Sequence, residues 1–95
     1  MVTRLSEAQV ESRMPSVSAW KRTGDLIERE FAFTDFVTAM RFVNRVADEA
    51  ERSQHHPDIH VLYNRVRLGY STHDAGGLSE RDFVAAQAVD RICSQ

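Results

Sequence analysis

Three histidines are the residues best suited to chemistry in this 95-residue chain. His55 and His56 stand side by side before Pro57, and His73 lies seventeen residues beyond His56. Proline biases the residue before it to extended backbone, so His56 leaves a helical pattern and enters a strand. Two short strand patterns then separate the pair from His73. A tight turn between those strands brings His73 back beside His55 and His56. Imidazole, with a reference pKa of about 6.5, gives or takes a proton near neutrality. Two imidazoles on opposite sides of a small substrate can act as acid and base in one elimination.

Other readings of these residues compete with that one. His55-His56-Pro57 also suits a polar linker between helix and strand. Three histidines suffice in principle for zinc, but adjacent side chains on extended backbone diverge, and no C-x-x-C or H-E-x-x-H spacing is present. The expectation is therefore no metal. Ser71, Thr72 and Ser79 lie near His73, yet no nucleophile elbow is written around them. His60 alternates with Ile59 and Val61 and is expected to face away from the core. Asp82 reads either as a helix-capping acid or as an acceptor that orients a histidine. Trp20 reads as core, or as a surface for a flat heterocycle beside a polar cleft. Glu51 sits at a helix C-terminus, where a carboxylate opposes the negative helix end, so a role in the site is worth weighing.

The bounds are those of one small domain, residues 1–95. A chain of this length buries only about 60–65% of its unfolded surface, so association would help it. The net charge of −2 gives no electrostatic case for nucleic acid or an acidic membrane surface. Eleven of the twelve basic residues are arginine, spread along the chain rather than clustered. The single Cys93 cannot close an intramolecular disulfide and fits a reducing compartment. No apolar run approaches a membrane span, and the polar start lacks a secretory core, so the chain reads as cytoplasmic.

The elements that position the histidines follow from capping and periodicity. Ser6 and Gln9 form a capping box, with Leu5 and Val10 as its staple, and Pro15 stops this first helix near Met14. Strands are expected over Val17–Arg22 and Leu26–Phe33. In the second, Ile27, Phe31 and Phe33 share one face and Glu28 and Glu30 the other. Thr34 is expected to cap the central helix, whose buried stripe is Phe36, Met40, Val43, Ala47 and Ala50, flanked by Ala39 and Val46. Ile59–Tyr63 and Val66–Thr72 form a hairpin across Asn64-Arg65, where Asn tolerates left-handed backbone. Ser79 and Asp82 make a second capping box, and Phe83, Ala86, Val89 and Cys93 supply the last helix's stripe. The order αββαββα predicts an α+β fold, a four-stranded antiparallel sheet with three helices on one face.

The run Glu51-x-x-x-His55-His56-Pro57, then Tyr63, then Ser71-Thr72-His73, then Gly77-Leu78-Ser79-Glu80-Arg81-Asp82 closely resembles the pterin-4a-carbinolamine dehydratases. These are also called 4a-hydroxytetrahydrobiopterin dehydratases. Five residues separate Pro57 from Tyr63, nine separate Tyr63 from His73, and eight separate His73 from Asp82. Trp20 and the Phe31-x-Phe33-x-x-Phe36 entry to the central helix extend the likeness over nearly the whole chain.

The resemblance implies the same α+β fold, dimers or tetramers, and neither metal nor redox cofactor. It implies removal of water from the 4a-carbinolamine left by aromatic amino-acid hydroxylation, giving quinonoid dihydropterin. By carry-over, His55, His56 and His73 are catalytic and line the pterin pocket, with Gln54, Ser71, Thr72 and Asp74 as further substrate contacts. Trp20, Glu51 and Asp82 are supporting positions. Gln54 and Ala75 depart from animal members and leave the three histidines intact. His55 and His73 are the expected proton-transfer pair, with His56 mainly a binding contact. Some relatives of this fold act instead as interaction proteins, a transcription dimerisation cofactor in animals and a Rubisco assembly factor with degenerate histidines in certain bacteria. The uncovered face of the sheet and its short strands predict a dimer. The stripe of the last helix either pairs dimers into tetramers or covers the monomer's own sheet.

Overall fold

A computed structural model describes residues 2–94. Helix α1 (Glu7–Arg13) runs into a 3₁₀ turn (Met14–Val17), followed by β1 (Lys21–Thr23) and β2 (Leu26–Ala32). Helix α2 (Phe36–Ser53), β3 (Asp58–Leu62) and β4 (Arg65–Tyr70) come next. A second 3₁₀ turn (His73–Ala75) leads into α3 (Glu80–Cys93). The strands form one antiparallel sheet in the order β1-β2-β4-β3. The α+β architecture expected from the sequence is the one found.

The sheet has one apolar face and one charged face, as period-2 strands dictate. Ile27 and Phe31 of β2 pair with Tyr70 and Val66 of β4, and these four, with Leu68, are buried beneath the helices. Each such side chain contributes about 1.5–3 kcal/mol by leaving water. The opposite face carries Glu28 and Glu30 against Arg67 and Arg65, at 3.9 and 3.4 Å. That face needs no apolar cover. Exposed apolar side chains lie instead on the edge strand β3, at Ile59, Val61 and Leu62, on Tyr63 in the turn that follows, and on the helices at Phe36, Val37 and Val84.

Several local expectations are corrected. Val17 and Trp20 do not belong to a strand: Trp20 N–H donates to the Val17 carbonyl at 2.8 Å, and β1 begins only at Lys21. Residues three apart share a face in a 3₁₀ turn, which lets both side chains enter the core. Asp35, not Thr34, caps α2, its Oδ1 accepting from the Thr38 N–H at 2.8 Å. The carboxylate's bonds from Thr38 hold its pKa below the ordinary value. The buried stripe of α2 is Ala39, Phe42, Val43, Val46 and Ala50, rotated from the expected one, and Phe36 is 48% exposed. Phe42 draws the helix round by packing, tilted, against Phe31 and Phe33, with ring centroids 4.7 and 5.0 Å away. The β3–β4 turn is Tyr63-Asn64, and Tyr63, not Asn64, takes the positive φ of 51°. Asn64 instead ties the turn to the end of β2. Its Nδ2 donates to the Phe33 carbonyl at 2.7 Å, and its own carbonyl accepts from Phe33 N–H. The α3 residues Phe83, Ala86 and Val89 are buried within the monomer's own core, so that stripe is not free for a partner.

Candidate active site

Strands β3 and β4 are paired as far as Asp58 and Gly69, so the segments carrying His55-His56 and Ser71-Thr72-His73 leave the sheet at the same end. Helix α2 stops just before this point because Gln54 turns left-handed, with φ of 56°. The Gln54 Nε2 donates to the Glu51 carbonyl, satisfying one of the helix's last acceptors. On the other side, Thr72 and Gly77 bridge the base of a loop that holds the His73 turn. Gly76, at φ of 73°, closes that turn by donating to the His73 carbonyl.

At the centre is Asp82, which is completely buried. Its Oδ1 lies 2.7 Å from His55 Nε2. Its Oδ2 accepts from Thr72 Oγ1 at 2.8 Å and from the Ser79 N–H at 2.9 Å. Since Thr72 donates to Asp82, its oxygen accepts from Ser79 Oγ, 2.6 Å away. Asp82 thus caps α3 and anchors a histidine at once. A carboxylate only accepts, so Nε2 is the His55 nitrogen that donates to Asp82, and Nδ1 is the one left without a protein partner among the described residues. The His55 ring also stacks on Tyr70, with centroids 5.6 Å apart and planes 20° apart. The phenol of Tyr70 is pushed well above its ordinary pKa, first by burial and then by the charges of Glu49 and Asp82.

His56 has a different partner. Its Nε2 is 2.5 Å from Glu51 Oε2, and both side chains are largely exposed. This contact answers the mismatch of Glu51 at the α2 C-terminus. His73 and Asp74 are exposed on their turn, and neither side chain has a hydrogen-bond partner among the described residues. Ser71 is half-buried. The Thr72 hydroxyl is fully engaged inside the protein. Trp20 is core, not a wall of the cleft: it is buried, and its Nε1 donates to Asp90 Oδ1 at 2.8 Å. His60 is exposed on β3.

A groove of about 270 Å³ opens beside His55, between the end of α2 and the start of α3. Glu49, Ser53, Glu80, Arg81, Val84 and Ala85 complete its walls. Among the described residues, no group of three His, Cys, Asp or Glu side chains is arranged to hold a metal ion. Nor is any helix among them long and apolar enough to cross a membrane. Two residues that the structure adds to the site are Tyr70 and Ser79. The alternation Val66, Leu68, Tyr70 is the sequence signal that puts Tyr70 on the buried face.

Residues 3–92 match the family model described as pterin 4 alpha carbinolamine dehydratase. The chain belongs to the pterin-4-alpha-carbinolamine dehydratase family. A protein of Acidobacterium capsulatum that carries the family's name is 50% identical, with 96% of this chain and 99% of that one covered. Another, from Thermomicrobium roseum, is 44% identical over 98% of this chain and all of its own length. The crystal structure of a transcriptional coactivator/pterin dehydratase from Brucella melitensis superposes with a TM-score of 0.90 at 33% identity, covering 95% of this chain and 98% of that one. A pterin dehydratase-like protein identified as a RuBisCO assembly factor in the alpha-carboxysome shares the fold alone. It is 19% identical, with a TM-score of 0.66 over 80% of this chain and 88% of its own.

Proposed function

We propose that the protein dehydrates a 4a-hydroxytetrahydropterin to the quinonoid dihydropterin by histidine acid–base catalysis. The observation that carries this reading is the His55–Asp82 pair, one imidazole oriented by a buried carboxylate at the end of the sheet where His73 also lies. With its Nε2–H donated to Asp82, His55 offers a free Nδ1 lone pair and acts as the base. It takes the proton from the ring nitrogen beside the carbinol carbon. The electron pair left there forms the C=N bond as the C–O bond breaks. His73, whose ring is exposed and unengaged, gives its proton to the departing hydroxyl, which leaves as water. No electron is gained or lost, so no oxidant or reductant enters. The positive charge gained by His55 is balanced by Asp82, as in other His–Asp pairs. Each proton transfer contributes about 10²–10⁴-fold. His56, Gln54, Ser71 and Asp74 serve as substrate contacts, with Glu51 orienting His56. Assay of the purified protein on enzymatically generated carbinolamine tests the reading. A rate no faster than the spontaneous dehydration overturns it and leaves an interaction protein of the same fold.

Self-association belongs to this proposal. Strand β3 is an edge, each of its five residues is exposed, and three of them are apolar. An unpaired edge of this kind is a template for another strand, and a second copy across a two-fold axis meets it with the same residues. Sedimentation at micromolar concentration should give a dimer or larger. A single species near 10.8 kDa would exclude it.

A further inference from the structure

Tyr70 closes β4 with its ring in the core and its hydroxyl sealed from solvent. That hydroxyl has no hydrogen-bond partner among the described residues. A buried hydroxyl left unpaired destabilises a fold, and a phenylalanine would fill the same space without it. Nor can the oxygen reach a ligand from where it lies. The ring, by contrast, is in close use. One face stacks on His55, with centroids 5.6 Å and planes 20° apart. Trp20 leans on Tyr70 with ring centroids 5.8 Å apart. Trp20 is fixed in turn by Asp90 Oδ1, which also accepts from Arg29 Nη1 at 2.6 Å. A chain of ordered groups therefore runs from β2 and α3 through Trp20 and Tyr70 to the imidazole.

We propose that Tyr70 is a positioning residue for His55 and that it works through the face of its ring. Asp82 holds one edge of the imidazole and so fixes which nitrogen is bare. A hydrogen bond at one atom still lets the ring swing about that bond. The Tyr70 face removes this freedom and sets the plane in which Nδ1 points. An aromatic face within about 6 Å also favours a cation, so the stack steadies His55 as it takes a proton. The inference rests on the dehydratase reading for its effect on rate, but the ordering of His55 is independent of it.

Tyr70→Phe and Tyr70→Leu separate ring from hydroxyl. The Phe variant keeps kcat within about twofold and unfolds at a higher temperature than the parent, since only the unpaired hydroxyl is lost. The Leu variant loses kcat by about tenfold or more with KM nearly unchanged, as expected when orientation in the transition state is lost. If the Leu variant does not fold, Tyr70→Met fills the volume without a ring. Proton NMR supplies a readout free of turnover. The His55 Nε2 proton held against Asp82 gives a sharp, slowly exchanging signal in the parent and the Phe variant, and a broadened or exchanged-out one in the Leu or Met variant, whose imidazole swings. A ringless variant that keeps kcat, or keeps the sharp His55–Asp82 proton signal, overturns the inference. So does a Phe variant that loses kcat as the ringless one does. If the parent shows no dehydratase activity, the NMR comparison alone decides: the dehydratase reading fails, while a sharp His55–Asp82 proton signal that is lost without the ring upholds the positioning, and one that persists overturns it.

Discussion

His55 and His56 are chain neighbours, and each imidazole meets a carboxylate, yet the two pairs have little else in common. His55 meets Asp82 inside the protein, at 2.7 Å, with two further donors on the same carboxylate. His56 meets Glu51 in open water. A low local dielectric strengthens the first pair and makes each of its members depend on the others. Solvent and salt weaken the second. Adjacency in sequence therefore says nothing about equivalence in function. In the proposed mechanism the buried pair takes part in proton transfer and the exposed pair contacts substrate at the rim.

The contrast is broken most directly at Asp82. Asp82→Ala leaves His55, Thr72 and the Ser79 N–H without their shared acceptor. Removing one member of a buried pair destabilises by about 3–5 kcal/mol, so the variant should show a much lower denaturation midpoint. Asp82→Asn keeps the size but loses the charge and the fixed tautomer. It should lower kcat by at least about 10²-fold, because the imidazole is no longer committed to one proton position. An Asn variant with parental kcat in steady-state assays would detach Asp82 from the chemistry.

His73→Ala tests the other end of the proposed proton path. The expected loss is again about 10²-fold or more in kcat, from removing an acid. Rates at neutral pH close to those of the parent would take His73 out of the mechanism and leave His55 without its counterpart.

How much of this contrast is legible in the sequence depends on the range of each interaction. The capping box of Ser79 and Asp82 spans three residues and is readable from them alone, because helix capping is local chemistry. That the other oxygen of Asp82 grips His55, twenty-seven residues away, needs α3 seated across the end of the sheet. The family motif carries both residues but not the bond between them. The α2 stripe escapes periodicity for a related reason. Phe36 and Phe42 are equally apolar, and only the positions of Phe31 and Phe33 decide which of the two turns inward. Around Trp20 the alternation of residue types points to a strand. The 3₁₀ turn at Met14–Val17 wins because it buries Val17 and Trp20 together.

A third prediction uses pH to sharpen the buried side of the comparison. The folded protein keeps the Tyr70 proton more tightly than the unfolded chain does, because burial and nearby carboxylates disfavour the phenolate. An unfolded tyrosine releases its proton near pH 10, so above that point the unfolded state binds fewer protons and stability falls. The contribution is intact below about pH 10 and declines by up to about 1.4 kcal/mol for each further pH unit. Urea midpoints at rising alkaline pH should therefore drop faster for the parent than for Tyr70→Phe. Parallel curves would show that Tyr70 is not the group responsible.

The smallest effects belong to the exposed pair. Glu51→Gln removes a partner that meets His56 in high dielectric, where such pairs contribute about 0–1 kcal/mol. Stability should change by no more than about 0.5 kcal/mol, as for most surface substitutions. The activity effect should fall on KM, since in the proposed mechanism Glu51 only steadies a contact to the bound ring, and His56→Ala should raise KM further with kcat little altered. Salt supplies the discriminating measurement. Raising ionic strength to about 1 M shortens the screening length to roughly 3 Å, so parental KM should move toward that of the Glu51→Gln variant. The Asp82→Asn deficit should persist unchanged, because Asp82 is completely buried and salt screens its bond to His55 little. If the Glu51→Gln variant instead loses kcat by an order of magnitude at low and high salt alike, the exposed pair takes part in proton transfer. The division between the two histidines then fails.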